Sequence, residues 1–405
     1  LTRRCPDGAA AAEGCRGRQD RRVARAAARR QFPPVAEPGA GAGGANGAPA
    51  ADGDAGVVRL QRDAALRAGH RVQGRVRVCW RRAAPHRRDV RVRRSAGIGH
   101  ACGHNLIAEV AVGAGLGIKA AMEAGGLAGR VTVLGTPAEE AHGGKIDMIR
   151  SAFFTDVDVA MMAHPYKLTV ARPRALSIQA FDVTFTGKAS HAAGSPWEGL
   201  NALDAAVTAY QSVSNLRQQM RPDWRVHGIV KEGGQRPNII PERAVLEYYI
   251  RAPTDKELAV LRRKVDACFD AAALATGCSW QSEINGHANS NLITNESLIK
   301  FYTKNLVRLN EPFLESEPDA VIGSTDMGNV SYEVPSVHPM FSVGGQAAIH
   351  TRDFAELAGD PAAQPHALTQ AKALAMTGID ILTQPGVLEQ IWEGFRADMA
   401  RLKDF

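Results

Sequence analysis

The sequence predicts an α/β protein in which an open mixed sheet, flanked by helices, carries a smaller inserted α+β domain. Two short apolar runs, Val131–Leu134 and Val157–Met162, are typical of buried strands. The first strand leads into Glu139 and Glu140, and the second ends at His164. Because neighbouring strand tips share one edge of an open sheet, we expect a functional site along that edge.

The remaining elements follow from the periodicity of the apolar residues. Residues 105–124 carry apolar side chains at helical spacing and predict a packed helix. From Leu176 onward, a strand, a helix, two strands and a helix are typical of a small inserted α+β domain. These five elements are expected at 178–185, 200–220, 225–230, 244–251 and 256–275. The sheet domain resumes near Asn291, with helices at 296–309 and 367–382.

The positive charge of the chain is confined to its first quarter. The net charge is +7, yet residues 1–96 hold 22 Arg and no Lys against 8 acidic residues, and the rest is net acidic. The same segment is rich in Ala, Gly and Pro and has little apolar periodicity, so we expect it to be largely disordered. An Arg-rich arm that binds nucleic acid is the alternative, although natural arms mix Lys with Arg.

The sequence favours a cytoplasmic protein without nucleic-acid or membrane partners. No run of 18 apolar residues occurs, and no apolar core follows a basic start, so neither a membrane span nor a signal peptide is predicted. The six cysteines are scattered along 405 residues, which indicates a reducing compartment rather than a disulfide framework.

The motif Gly97-Ile-Gly-His-Ala-Cys-Gly-His-Asn105 places Cys102, His104 and a spare His100 within five positions. A thiolate and an imidazole are ligands that zinc prefers, and the glycines let the backbone approach an ion closely. The alternative is a turn that holds one free cysteine and two surface histidines.

Glu139, Glu140, His164 and His350 extend this pattern. Adjacent glutamates at a strand tip cannot both project the same way, so one can ligate a metal while the other stays free as a base. Taken singly, such residues are more often solvated glutamates or capping and core histidines. Joined to the Cys and His of the first motif, they give five ligand-type residues and a free carboxylate, enough for two metal ions that share a water.

Six motifs follow one another in a family-specific order. They are Gly-His-Ala-Cys-Gly-His-Asn, Thr-Pro-Ala-Glu-Glu, Ala-His-Pro, Gly-Lys-Ala-Ser-His, Pro-Asn-Ile-Ile-Pro and a late His-Thr. From Gly97 to about Leu402 the chain thereby resembles the aminoacylase and carboxypeptidase family of dinuclear metallopeptidases, in its amidohydrolase branch. The resemblance implies a zinc-exopeptidase-like catalytic domain at 97–176 and 291–405, and a lid or dimerisation domain at 177–290 that forms a homodimer.

The resemblance also implies a role for each site residue. The metal ligands would be Cys102, His104, Glu140, His164 and His350. Glu139 would be the general base, and His191 would stabilise the oxyanion in the active site of the other subunit. Asn238 and Arg251 would bind the substrate carboxylate. The cofactors would be two divalent metal ions, zinc first, with manganese and cobalt as alternatives.

The reaction implied is hydrolysis of the amide bond of a dipeptide with a basic C-terminal residue, such as Lys, Arg or ornithine, as in β-alanyl-lysine. An amidohydrolase of N-acyl amino acids is one alternative. A non-catalytic relative is another, because Val90–Ala96 stands where the branch has Cys-Glu-Tyr-Asp-Ala-Leu-Pro. The codons GTG CGA GTA CGA CGC TCT GCC encode Val90–Ala96 and, read one base later, give Cys-Glu-Tyr-Asp-Ala-Leu. Our hypothesis is a frame error, which the coding DNA would test.

Overall fold

The computed structural model describes residues 55–61, 81–82, 99–140, 142–317 and 323–404. The strands are β1 Ala55–Gln61, β2 Arg81–Arg82, β3 Arg130–Thr136, β4 Val159–Met161, β5 His164–Tyr166, β6 Ser177–Thr186, β7 Ser190–His191, β8 Arg225–Glu232, β9 Ile239–Ile240, β10 Arg243–Ala252, β11 Ser279–Ile284, β12 Ser336–Val337 and β13 Met340–Ser342. The α-helices are α1 His104–Gly125, α2 Gly144–Arg150, α3 Ala202–Asn215, α4 Asp255–Thr276, α5 Glu296–Arg308, α6 Met327–Glu333, α7 Arg352–Gly359, α8 Gln364–Thr383 and α9 Val387–Asp404.

A five-stranded mixed sheet forms the centre of the larger domain, in the order β12-β4-β1-β3-β2. Strand β1 runs antiparallel to both β3 and β4, whereas β12 is parallel to β4 and β2 is parallel to β3. This mixed sheet flanked by helices confirms the predicted fold class.

Within residues 1–96, which the composition predicts to be largely disordered, Ala55–Gln61 forms β1 and Arg81–Arg82 forms β2. The apolar side chains Val57, Val58 and Leu60 of β1 are buried, because this strand lies between two neighbours in the sheet. Burial of these apolar side chains stabilises a strand, although the surrounding sequence is mostly polar. The frame-error hypothesis at Val90–Ala96 lies outside the described residues.

Helix α1 begins at His104, within the Cys and His motif, and packs against β1 and α8. Small residues allow the two helices to approach closely, because a Cβ at Gly113 would lie 3.0 Å from the Ala371 Cβ and one at Gly117 would lie 3.1 Å from the Ala375 Cβ. By length and composition alone α1 is apolar enough to cross a membrane. Core helices of α/β domains pass the same test, and α1 packs its apolar face into the main hydrophobic core.

The inserted domain is a four-stranded antiparallel sheet, in the order β11-β6-β10-β8, packed against α3 and α4. Its core contains Phe181, Tyr248 and Phe269, whose rings lie 5.7 to 6.3 Å apart. The predicted strand, helix, strand, strand, helix succession is present, and β11 follows it as a strand that sequence periodicity missed. Strand β8 lies at the edge of this sheet.

The chain enters the inserted domain at Ser177 and leaves it near Asn291, and these two residues are hydrogen-bonded to each other. The Asn291 N–H donates to the Ser177 hydroxyl oxygen at 2.9 Å, and the Ser177 hydroxyl donates to Asp255 Oδ1 at 2.6 Å. Both crossing residues are buried. The hydrogen bonds therefore join the first residue of β6, the start of α4 and the return to the sheet domain.

Candidate active site

Cys102 lies in the turn that leads into α1, and His104 is the first residue of that helix. Between them, Gly103 has φ 75°, and a Cβ there would lie 2.5 Å from the Pro165 Cγ. Glycine is therefore required at this position for two reasons, namely the left-handed backbone and the close approach of β5. The same approach brings His164, the first residue of β5, beside the turn.

Two further loops contain left-handed residues that are not glycine, Ala138 with φ 57° and His350 with φ 65°. The Ala138 carbonyl accepts the N–H groups of His142 and Gly143, each at 3.0 Å, which closes a tight turn around the two glutamates. The His350 N–H donates to the Ala101 carbonyl at 2.7 Å. Non-glycine residues in this region cost free energy and occur most at functional sites.

Side chains from these loops converge on one another. The Cys102 Sγ lies 3.4 Å from the His164 Nε2, and the Glu140 Oε1 lies 3.4 Å from the His104 Nε2 and 3.5 Å from the His350 Nε2. Three groups have ligand atoms within 4.8 Å of one another, namely Cys102–His104–His164, Cys102–Glu140–His350 and His104–Glu139–Glu140. Because the groups share members, the structure brings all five predicted ligands and Glu139 into one cluster.

The imidazole of His164 is oriented by a neighbouring carbonyl. Its Nδ1 lies 2.8 Å from the Pro165 carbonyl oxygen, and a carbonyl only accepts, so Nδ1 carries the hydrogen. The unprotonated Nε2 is then the atom that faces Cys102. A second hydrogen bond of this kind is typical of histidines that ligate metals.

Three members of the cluster already have the charge state that binds a cation. Burial lowers the pKa of His104 and of His164 to about 4, so both imidazoles are neutral near pH 7. The hydrogen bond from His350 lowers the pKa of Glu140 to about 2, so this carboxylate is ionised. Neutral imidazoles and ionised carboxylates are the forms that ligate metal ions.

Two other members hold protons that a cation would displace. Burial, with a further contribution from Glu140, raises the pKa of the Cys102 thiol far above its usual range. Burial and the nearby Asp326 raise the pKa of Glu139 to about 8. A bound cation lowers the pKa of groups beside it, and a coordinating thiol is deprotonated outright. The donor set therefore fits a divalent cation.

The two adjacent glutamates have different surroundings. Glu140 is the more exposed, with 35% of its side chain accessible against 13% for Glu139, and it faces the two imidazoles. Thr325 and Asp326 lie beside the Glu139 carboxyl. Beside it, Lys145 and Asp326 form a fully buried ion pair with an Nζ to Oδ1 distance of 2.6 Å. Sequence reasoning missed Thr325, Lys145 and Asp326.

His191 and Asn238 lie together on the surface of the inserted domain. Strand β7 pairs with β9, and the Ala192 N–H donates to the Asn238 carbonyl at 3.0 Å. The His191 Nδ1 accepts the N–H groups of Ala193 and Gly194 at 3.2 and 3.0 Å, so its Nε2 carries the hydrogen. Both side chains are exposed, and within the described part of this chain they are not among the groups that converge around Cys102.

Arg251, near the end of β10, is half-buried and faces a loop of the larger domain. Its Nη1 donates to the Ser324 hydroxyl at 3.0 Å. Burial lowers the pKa of Arg251, although a guanidinium stays charged in proteins. Ser324 lies two residues before Asp326, which contributes to the raised pKa of Glu139, so the same loop passes both Arg251 and the cluster.

Comparison with known proteins places the chain in a family. A family model for a peptidase dimerisation domain matches residues 177–276. A protein of Mus musculus named Xaa-Arg dipeptidase is 51% identical over 308 residues, covering 75% of this chain and 71% of the relative. Its Homo sapiens counterpart is 50% identical over 307 residues, with 74% and 70% covered. The chain belongs to the M20 family of peptidases. It is thus a hydrolase.

More distant similarities extend over a comparable share of the chain. One of the p-aminobenzoyl-glutamate hydrolase proteins of Escherichia coli is 29% identical over 350 residues, with 72% of each chain covered. Among solved structures, a putative aminohydrolase of Staphylococcus aureus has a TM-score of 0.57 at 20% identity, with 70% of this chain and 75% of that chain covered. A dinuclear metal-binding M20 peptidase of Bacillus subtilis has a TM-score of 0.52 at 16% identity, with 70% and 73% covered. These two structures show the same fold.

Proposed function

We propose that the chain hydrolyses dipeptides with a basic C-terminal residue, using two divalent cations and Glu139 as general base. The observation that carries this proposal is the convergence of a thiol, three imidazoles and a carboxylate beside a second, less exposed carboxylate. The substrate class is supported by about 50% identity to relatives named Xaa-Arg dipeptidase.

Five side chains would hold the cations: Cys102, His104, Glu140, His164 and His350. Zinc suits this mixture of thiolate and imidazole, with manganese and cobalt as alternatives. When bound, the cations would supply positive charge that acidifies water and polarises an amide carbonyl.

The chain's own residues would then move the proton and hold the substrate. Glu139 would accept a proton from water and later donate it to the leaving amine. His191 offers an Nε2 hydrogen to the oxygen of the scissile carbonyl, and because it is exposed it would do so in the other subunit of a dimer. Arg251 and Asn238 would bind the carboxylate of the substrate.

The homodimer would form through the inserted domain. Strand β8 is an edge strand, and Ile229 and Val230 on it are 59% and 48% exposed. Helix α3 adds Val207 and Tyr210, which are 52% and 36% exposed. An apolar, unpaired edge of this kind favours pairing with another strand. The match of residues 177–276 to a peptidase dimerisation domain supports the same surface.

The test is hydrolysis after reconstitution with zinc, manganese or cobalt. We expect release of lysine from β-alanyl-lysine, slower cleavage when only the C-terminal residue is changed to glutamate, and slow cleavage of N-acetylmethionine. Glu139→Gln should lower kcat by about 10² or more, the loss typical of a general base, while about two metal ions per chain remain bound. The exposed Glu123→Gln is the control and should leave kcat unchanged.

Each contrary result points to a different alternative. A fully metal-loaded chain that cleaves none of these substrates would support a non-catalytic relative. Preference for N-acetylmethionine over β-alanyl-lysine would support an amidohydrolase of N-acyl amino acids. An unchanged kcat in Glu139→Gln would show that Glu139 is not the general base.

A further inference from the structure

We propose that Tyr249 and Glu247, on the exposed face of strand β10, determine the preference for a cationic side chain in the substrate. Tyr249 would contact the ammonium or guanidinium group, and Glu247 would attract its charge. The inference rests on the proposed function, because Arg251 on the same face is the proposed anchor for the substrate carboxylate.

Strand β10 has one covered and one open face. Successive side chains of a strand point to opposite faces of the sheet. The buried side chains of β10 that belong to the core of the inserted domain are Ala244, Leu246, Tyr248, Ile250 and Ala252. Helices α3 and α4 pack on that face, where the Tyr248 ring lies 5.7 Å from the Phe269 ring of α4. Glu247, Tyr249 and Arg251 therefore share the opposite face, on which Tyr249 is 37% exposed.

The Arg251 end of this open face borders the larger domain. The Arg251 Nη1 donates to the Ser324 hydroxyl at 3.0 Å, and a Cβ at Gly323 would lie 3.9 Å from the same nitrogen. Two residues later in this loop, Asp326 pairs with the buried Lys145 at 2.6 Å. Arg251 is thus held against the domain that carries the metal ligands.

The spacing along the strand matches the reach of a basic side chain. Side chains on one face of a strand are about 7 Å apart, so Tyr249 lies about 7 Å and Glu247 about 14 Å along β10 from Arg251. An extended lysine places its ammonium about 6 Å from its Cα. A substrate whose carboxylate contacts Arg251 can therefore bring its cation to Tyr249. From there, Glu247 is about 7 Å away, within the Debye length of about 8 Å at physiological ionic strength.

Tyr249 offers an aromatic surface to this cation. It is paired across β8 with the exposed His227, and the two rings lie 5.6 Å apart at an angle of 50°. The face of a tyrosine ring attracts an ammonium or guanidinium group, and rings also pack against the apolar stem of a lysine or arginine. An uncharged side chain of the same length would gain the packing but not the electrostatic attraction.

Glu247 already lies beside one ammonium group on this face. The register of β8 and β10 shifts at Val245–Leu246, which makes Lys231 the extra residue of a β-bulge. Bulges redirect side chains, and the Lys231 Nζ lies 2.7 Å from Asp182 Oδ2 and 3.6 Å from Glu247 Oε2. Because Asp182 holds Lys231 more closely, Glu247 can attract a second cation. The open face is thus positive at Arg251, aromatic at Tyr249 and acidic at Glu247, which complements the carboxylate, stem and charge of a basic residue.

The test compares β-alanyl-lysine with β-alanyl-norleucine, which has the same four-carbon stem without the ammonium group. The measured quantity is the ratio of kcat/KM for the two substrates. Tyr249→Leu should lower this ratio about fourfold, the effect of one exposed cation–π contact. Glu247→Gln should lower it about threefold, the effect of one exposed ion pair. Cleavage of β-alanyl-norleucine should stay near wild type, which also shows that each variant is folded.

Charge reversal gives a gain that a structural role would not produce. Glu247→Lys should lower the ratio further than Glu247→Gln. It should also raise kcat/KM for β-alanyl-glutamate relative to β-alanyl-norleucine, because the new ammonium attracts an acidic side chain. A variant that loses activity equally on all three dipeptides would contradict a role in specificity.

Two matched controls isolate the ring and the charge. Tyr249→Phe keeps the aromatic face and should retain the wild-type ratio. Asp266 on α4 is 31% exposed, against 26% for Glu247, and it also pairs with a cation, the Arg262 Nε at 2.7 Å. Because α4 covers the opposite face of the sheet, Asp266→Asn should leave the ratio unchanged. An equal loss in Asp266→Asn would indicate a general effect of net charge and overturn the inference.

A binding measurement separates failure of this inference from failure of the proposed function. Titration calorimetry of the metal-loaded protein should show tighter binding of L-lysine than of L-norleucine, and Tyr249→Leu and Glu247→Gln should each reduce that preference. A wild-type protein that prefers lysine in binding but cleaves no dipeptide would refute the proposed function and leave the roles of Tyr249 and Glu247 supported. Equal binding of the two amino acids, or a lysine preference that both variants retain, would overturn the inference.

Discussion

The buried ion pair between Lys145 and Asp326 gives the sharpest prediction about stability. Both side chains have no exposed surface, their charged atoms are 2.6 Å apart, and the carboxylate also accepts a backbone N–H. The Lys145→Met variant keeps the aliphatic volume but leaves the buried Asp326 carboxylate without its cation and with one backbone hydrogen bond. We expect this variant to be destabilised.

The magnitude follows from the cost of an uncompensated charge. Removal of one partner from a buried pair costs about 3–5 kcal/mol, whereas replacement of both partners by neutral groups is often close to neutral. The double variant Lys145→Met, Asp326→Asn retains an oxygen for the backbone N–H of residue 145. It should therefore recover most of the stability that Lys145→Met loses.

Urea unfolding of the metal-free proteins, followed by circular dichroism, measures these free energies. Lys119→Met is the control, because Lys119 forms an exposed pair with Glu123 at 3.5 Å, and such surface pairs contribute less than about 1 kcal/mol. The reasoning is refuted if Lys145→Met costs no more than Lys119→Met. It is equally refuted if the double variant is as unstable as the single one.

Two further predictions concern metal binding and assembly. Zinc binding should release protons, because burial raises the pKa of the Cys102 thiol and of Glu139, and the hydrogen bond to Glu140 raises the pKa of His350; zinc affinity should therefore rise with pH. Calorimetry in two buffers should count one proton fewer for Cys102→Asp, and an equal count would contradict the assignment. Ile229→Lys at the β8 edge should give a monomer in sedimentation, whereas Leu274→Lys, on a side chain 86% exposed on α4, should not; a dimeric Ile229→Lys protein would place the interface elsewhere.

Local periodicity was sufficient for most of the fold but not for all of it. Helix α1 and strand β3 were predicted because their apolar residues recur at spacings that only one regular structure buries. Strand β1 was missed because its apolar run is short and lies among arginines, and β11 because its residues Ser279–Ile284 are mostly exposed. Burial between two neighbouring strands is a tertiary property, which no local pattern contains.

The residues of the candidate site likewise differ in whether the sequence alone predicts them. Cys102 and His104 are two residues apart, so their motif is visible in the sequence. Ser324, Thr325 and Asp326 form a polar triplet typical of any surface loop. Only the fold brings this triplet close to Glu139 and Lys145, which lie nearly two hundred positions earlier in the chain. Their contribution therefore required the structure.

The different surroundings of Glu139 and Glu140 show how the fold can assign different roles to two adjacent glutamates. The sequence indicates that adjacent glutamates diverge, but not which one turns toward the metal ligands. In the structure Glu140 faces two imidazoles, which favour its ionised form, whereas Glu139 is less exposed, and burial together with the nearby Asp326 raises its pKa. Carboxylates separated in this way by environment take different parts in acid–base chemistry. The loop that holds Thr325 and Asp326 thereby supports Glu139 as the base and Glu140 as the ligand.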